Sequence, residues 1–292
     1  MGQQILNGLF VGSIYALFAV GYTLVFGVLD ILNLAHQAVF MLSAFVALAL
    51  VENAHLSIWV ALPLGIIAGG LIGIALERLA FRPLRGRAGS NISGLISSLA
   101  MATVFEAIAA QIFGPDISRF PQGTIPDQPI ALGPISVSPL QICIAAISLV
   151  LMVALTWLLK RTPLGRSIRA VAENPRAARI LGIDVDKVIA FSFFLSSALA
   201  GAAGVLFGLA FNSISPDVGR SVELKGLAVI ILGGMGSVPG AVVAAFAIGL
   251  VEVFTVAFVG ASYRDAVSFA VLFIVLVARP RGLFGQVATR EA

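Results

Sequence analysis

Charge is scarce in this sequence. Only 11% of its 292 residues are Asp, Glu, Lys or Arg, against about a quarter in soluble globular domains, and the deficit excludes an ordinary soluble domain. Cysteine is rarer still. The single Cys143 lies in an apolar run, which leaves no disulfide framework and no thiolate metal site, and it reads as a small core or lipid-facing residue. The two histidines, His36 and His55, form no HExxH pair, and no CxxC, GxSxG or paired-carboxylate arrangement occurs, so an intramembrane enzyme has little support. The glycine-rich run from Gly233 to Gly240 has neither the G-x-x-x-x-G-K-[ST] loop nor the G-x-G-x-x-G spacing of a nucleotide site. The chain is therefore expected to bind no cofactor and no metal, and any ATP hydrolysis must come from other polypeptides. The N-terminus also lacks the basic n-region and small-residue cleavage site of a signal peptide, so the first apolar segment is expected to be retained.

What is abundant is hydrophobicity. Apolar residues make up 59% of the chain and the mean hydropathy is +1.05. They recur at about 5–28, 34–51, 58–79, 92–113, 138–159, 189–211, 224–236, 238–260 and 264–279, most of them near the ~20 residues that cross ~30 Å of hydrocarbon. The predicted fold class is all-α: a polytopic transmembrane helical bundle of eight to nine segments, two of them broken, in a single domain over 1–292. A net charge of +4 and a pI near 9.7 do not point to nucleic acid, because the basic residues gather in the loops after Glu77, Leu159 and Ala278. Lys and Arg concentrated between spans mark the cytoplasmic side. Arg82, Arg85 and Arg87 thus place loop 80–90 inside, while 114–138, with Arg119 beside Asp116 and Asp127, is outside. Arg279 and Arg281 predict a cytoplasmic C-terminus for a multi-pass protein of the cell inner (plasma) membrane.

The stretch from Leu159 to Val188 is the densest polar insertion. It carries Lys160, Arg161, Arg166, Arg169, Arg176, Arg179 and Lys187, seven of the eighteen basic residues. Thr162-Pro163 and Asn174-Pro175 each read as an N-cap followed by proline at the first helical position, and Gly182 supplies a stop. A short capped helix from about Pro175 to Leu181 follows, in a cytoplasmic loop at about 160–187 built for docking.

Two breaks interrupt the apolar pattern, at Asp30 to His36 and at Gly233 to Gly240. Irregular backbone at membrane depth needs protein or a water-filled cavity around it, and paired interruptions often mark inverted repeats and a translocation pathway. Candidate pathway residues are Tyr22, Asn33 and His36 near the first break, and Gly233, Gly234, Gly236 and Ser237 at the second. His55, beside Glu52 and Asn53, reads as solvated. Glu106 and Glu252 sit in apolar segments, where an unpaired charge costs at least ~2.5 kcal/mol; a partner such as Arg119 or Arg264, a wet pathway or protonation would offset this. Small residues four apart (Gly8 and Gly12; Gly65, Gly69 and Gly73; Ala200, Gly204 and Gly208) allow close helix contact, more readily within the chain than at an interface.

Several stretches together resemble the high-affinity branched-chain amino acid ABC transporter permeases of the LivH type: Gly21-Tyr22-Thr23-Leu24-Val25-Phe26-Gly27 with Ile31-Leu32-Asn33-Leu34-Ala35-His36, then Glu77-Arg78-Leu79-Ala80-Phe81-Arg82-Pro83-Leu84-Arg85, and Leu232-Gly233-Gly234-Met235-Gly236-Ser237-Val238-Pro239-Gly240-Ala241. Ala177-Ala178-Arg179-Ile180-Leu181-Gly182 resembles the loop by which such permeases dock on their ATPase, with Glu173, Asn174, Pro175 and Arg176 leading into it. The resemblance implies a permease that pairs with a second homologous permease, two cytoplasmic ATPases that use ATP and Mg, and a periplasmic or lipid-anchored solute-binding protein, all among membrane lipids. Branched-chain amino acids would be the solute, with urea, short amides and aromatic acids as related cargoes. Two departures stand out. Arg176 occupies the place of the family's glutamate before the two alanines, and Gln37 follows His36 where glycine is usual. The rival classes are a self-contained channel or ion-coupled carrier using Glu106 or Glu252, and an assembly protein without a substrate.

Overall fold

A computed structural model of the chain describes residues 1–85, 90–121, 124, 130–132, 135–280 and 282–284. Arg87, Asp127 and Arg281, used above for sidedness, lie outside the described residues. Each of the nine apolar segments carries a helix: α1 (Gly2–Leu29), α2 (His36–Glu52), α3 (Ile58–Leu76), α4 (Ser90–Phe113), α5 (Pro139–Arg161), α8 (Val185–Phe211), α9 (Val218–Gly233), α10 (Val238–Phe258) and α11 (Arg264–Ala278). The polar insertion folds into α6 (Pro163–Glu173) and α7 (Pro175–Ile180). Among the described residues, seven helical stretches are long and apolar enough to cross a membrane. The 17 residues of α2 and 16 of α9 reach only ~25 Å at ~1.5 Å per residue.

Most of α1 is buried, because it is apolar all round and stands at the centre of the bundle. Helices α4, α5 and α11 form the outer wall and expose large apolar side chains such as Ile112, Trp157 and Phe273. Outside the helices, β1 (Ile130–Leu132) pairs antiparallel with β2 (Ile135–Val137), a hairpin the sequence did not announce.

The small-residue stripes pack within the chain. Helix α1 lies most extensively on α10, and α3 on α8. A Cβ on Gly249 of α10 would stand 2.6 Å from the Gly12 nitrogen, and one on Gly69 of α3 would stand 2.9 Å from the Ser197 carbonyl. Only glycine permits these approaches.

One order occurs twice. In α1–α2–α3 a long helix ends on left-handed Asp30, a short helix follows, and a long helix returns; α8–α9–α10 repeats this with left-handed Asn212. The two triplets run in opposite directions. The last turn of α1 and the first turn of α8 adjoin α7 at the basic end, whereas Gln3 of α1 bonds Ser136 at the far end. Exchanging the triplets maps the α1–α10 contact onto the α8–α3 contact. The counterpart of the break at 30–35 is therefore the segment 212–217, and the glycine-rich turn at 234–237 corresponds to the turn before α3.

Candidate functional site

The basic insertion folds as its local signals dictate. Thr162 caps α6 by accepting from the Gly165 N–H at 3.1 Å, and Asn174 Oδ1 accepts from the N–H groups of Arg176 and Ala177, both at 3.0 Å. Helix α7 ends at Ile180, one residue short of the expected Leu181, which serves as its C-cap; Gly182 then takes a φ of +82°. Ala178 is buried, while Glu173, Asn174, Pro175, Arg176, Ala177, Arg179 and Gly182 are exposed. Ile180 and Leu181 are 86% and 79% exposed, an apolar tip on a basic helix. Behind α7 lies a cavity of about 410 Å³ that Pro175 and Arg179 share with Leu29 and Ile31 of the first break. Arg85 crosses its wall, pairing with buried Glu77 and, at 3.1 Å, with Asp186 on α8. Helix α7 thus packs on α6 and α8, and the cavity separates it from the end of α1 and from the break before α2.

The first group of pathway candidates meets in the bundle core. His36 is fully buried: its Nε2 lies 3.3 Å from the Phe18 carbonyl, and its ring stands edge-on to Phe18 and Tyr22, 5.2 Å from the latter. Asn33 Oδ1 accepts from the Ala35 N–H, its carbonyl accepts from the His36 N–H, and Ser98 of α4 accepts from the Leu34 N–H, so protein groups satisfy the part of the break that leads into α2. Several polar atoms there stay unpartnered among the described residues: Tyr22 OH, His36 Nδ1, Asn33 Nδ2 and Glu223 Oε1. Glu223 was not singled out from sequence. It is buried on α9, within electrostatic range of Tyr22 and Glu106.

The second group lies elsewhere. Gly233 and Gly240 approach so closely that a Cβ on Gly233 would meet the Gly240 backbone at 2.5 Å, and Gly234 closes α9 with a φ of +99°. Leu283 and Phe284 donate to the Leu232 and Gly233 carbonyls at 2.8 and 3.0 Å. Gly236 and Ser237 border a cavity of about 880 Å³ at the basic end, with Thr23 and Gly27 of α1, Lys160 of α5 and Arg169 of α6. Among the described residues no hydrogen bond or ring contact joins the two groups of pathway candidates, although Thr23, next to Tyr22 on α1, lines the second cavity.

Glu106 and Glu252, the two glutamates marked out by the sequence, are paired. The partner of Glu106 is Arg220 of α9, not Arg119, which is exposed beside Ser118; Gln37 adds a donor at 3.2 Å. Glu252 meets Arg264, as expected, and also Lys225 at 2.6 Å. Lys225 reaches Asp265 at 3.2 Å, and the Tyr15 hydroxyl lies within 3.3 Å of Lys225, Arg264 and Glu252. The sequence signal for Arg220 and Lys225 is polarity within α9, whose first residues, 218–223, fall outside the apolar segment at 224–236. His55 lies exposed in the loop between α2 and α3, in accord with a solvated side chain.

Comparison with known proteins accords with this architecture. A family model described as branched-chain amino acid transport system / permease component matches residues 4–276. The high-affinity branched-chain amino acid transport system permease protein BraD of Pseudomonas aeruginosa is 34% identical over 97% of this chain and 95% of its own length. LivH of Escherichia coli K12, described in the same words, is 32% identical with the same coverage. The solved structure of PsaBC from Streptococcus pneumoniae in complex with Fab superposes with a TM-score of 0.53 at 12% identity, over 94% of this chain and 91% of that one.

Proposed function

The chain belongs to the family of branched-chain amino acid transport permease components, and from that premise we propose that it is the membrane-spanning subunit of an ATP-driven importer of these amino acids. It pairs with a second, homologous permease. Two cytoplasmic ATPase subunits bind ATP and Mg, a solute-binding protein delivers the cargo, and this chain carries no catalytic or cofactor site of its own. The basic end, with α6, α7 and the C-terminus, faces the cytoplasm.

The observation that carries this reading is α7. It is capped at both ends, exposes Arg176, Arg179, Ile180 and Leu181, and backs onto the cavity that reaches the end of α1. Such a helix transmits movement as a rigid handle. Closure of the ATPases would shift it, tilt α8 and α1, and change which end of the pathway is open. Because the binding protein selects the solute, the permease needs only a transient route.

The test is reconstitution of the chain with its neighbouring permease, ATPases and binding protein in liposomes, measuring uptake of labelled leucine beside urea. Leucine uptake that requires ATP and is abolished by Arg176→Glu with Arg179→Glu is the expected result. One observation favours a second reading. Glu223 is buried with an unpartnered carboxylate oxygen, the kind of group that a proton-coupled carrier uses. Uptake by this chain alone, driven by a pH gradient and indifferent to ATP, would select that carrier instead.

A further inference from the structure

The ion cluster at the far end does more than fasten α11. Tyr15, Lys225, Glu252, Arg264 and Asp265 bring two cations and two anions together on four helices, a set that is neutral overall. Pairing within the set is incomplete on one side. Glu252 Oε1 takes the contacts from Lys225, Arg264 and Tyr15, while Oε2 has no hydrogen-bond partner among the described residues although Glu252 is only 1% exposed. Arg264 engages Glu252 through Nε and Tyr15 through one terminal nitrogen, and its side chain is 34% exposed. Glu252 and Arg264 both face a cavity of about 320 Å³ with Asn7 at its rim and Phe211, Val253 and Val256 in its walls. That volume lies at the small end of ordinary ligand sites.

We propose that this cavity is a transient subsite for a zwitterionic α-amino acid with a short branched apolar side chain. A turn of the Glu252 side chain brings the buried Oε2 to the cavity, where the ammonium group donates to it; the carboxylate takes the free edge of the Arg264 guanidinium, and the side chain lies against Val253, Val256 and Phe211. A zwitterion brings one charge of each sign and leaves the cluster neutral, whereas a simple acid or amine unbalances a set in which Lys225 and Glu252 are held out of water. Urea has no charge for either partner, and a site built for such groups discriminates strongly against analogues that lack them. The subsite rests on the importer reading and specifies it: it lies at the end away from α7, where the solute would enter.

The experiment reads protection of a thiol in the assembled transporter without its binding protein. In a Cys143→Ala background, Val256→Cys and Ala257→Cys are labelled with a maleimide in the presence of leucine, isocaproate, isoamylamine or urea. Millimolar leucine should slow labelling several-fold at both positions, and the other three should not. Glu252→Gln should abolish the protection, each labelling rate being compared with that variant's own rate in the absence of solute. Alanine, which offers both charges, should also protect; Val253→Phe, which keeps the ion cluster, should lose protection by leucine and keep that by alanine, so the test survives a Glu252 variant that fails to fold. Wild-type uptake is measured in parallel. ATP-dependent leucine uptake without protection at either cysteine, protection that persists in Glu252→Gln, or equal protection by urea would overturn the subsite and leave the importer reading standing. No leucine uptake by the complete wild-type assembly would overturn both.

Discussion

Arg85→Ala tests how α3 is locked to α8 beneath the docking helix. Arg85 pairs with Glu77, whose side chain is 2% exposed, and with Asp186 at 3.1 Å. Truncation leaves the Glu77 carboxylate without its cation in an apolar setting. Removing one partner of a fully buried pair costs about 3–5 kcal/mol. Arg85 itself is 21% exposed, so water takes over part of its role and about 2–3 kcal/mol is expected. At roughly 2 °C per kcal/mol for a chain of this size, the Tm in detergent should fall by about 5 °C. The double variant Glu77→Gln/Arg85→Ala removes the orphaned charge and should recover more than half of the loss, the signature of direct coupling. Arg82 supplies the control: it also reaches Asp186, at 3.4 Å, but both side chains are about half exposed, and Arg82→Ala should shift stability by less than about 1 kcal/mol. Thermal unfolding of the four proteins decides the matter. An Arg85→Ala protein as stable as Arg82→Ala, or a double variant no more stable than the single one, would refute the argument.

Three further outcomes are expected. Asn174→Ala removes the acceptor for two N–H groups of α7 and costs that helix about 1 kcal/mol; ATP-dependent uptake should drop while the global Tm holds, and Asn174→Asp, which keeps the cap, should restore it. Gly204→Val drives a Cβ into the Phe40 carbonyl where α8 crosses α2 and should abolish recovery of monodisperse protein, whereas Gly27→Ala meets nothing within 4 Å and should gain up to about 1 kcal/mol of helix propensity, read as a raised Tm. In a Cys143→Ala background, an impermeant maleimide should label Ser262→Cys in intact cells and Ala177→Cys only in inverted vesicles; the reverse pattern would invert the topology proposed from the basic residues.

What could be read from the sequence and what could not divide along the range of the forces involved. Helix α7 was legible because everything that makes it is local: Asn174 reaches N–H groups two and three residues away, and the positive φ of Gly182 needs no tertiary contact. The spans were legible because apolar length is additive along a chain. The charged partners were not, since Glu106 finds Arg220 across 114 positions, and no local rule ranks Arg220 above the nearer Arg119. The same blindness shortened α9. Arg220 and Glu223 interrupt the apolar run, which puts the start of the segment at 224, yet the helix begins at Val218 because Arg220 is paired by another helix. The repeat shows the converse. Its two halves share an order of long helix, left-handed cap and short helix, and chemistry restricts that cap to a residue tolerant of positive φ, Asp30 in one half and Asn212 in the other. Hydropathy, which ranks breaks by how polar or glycine-rich they are, matched Asp30 instead to the conspicuous glycines at 233–240. A search for residues able to end a long helix in the left-handed region, followed by a short apolar run, would have joined the right pair. That search also puts α9 opposite α2, and with it Glu223 beside the core of Tyr22 and His36.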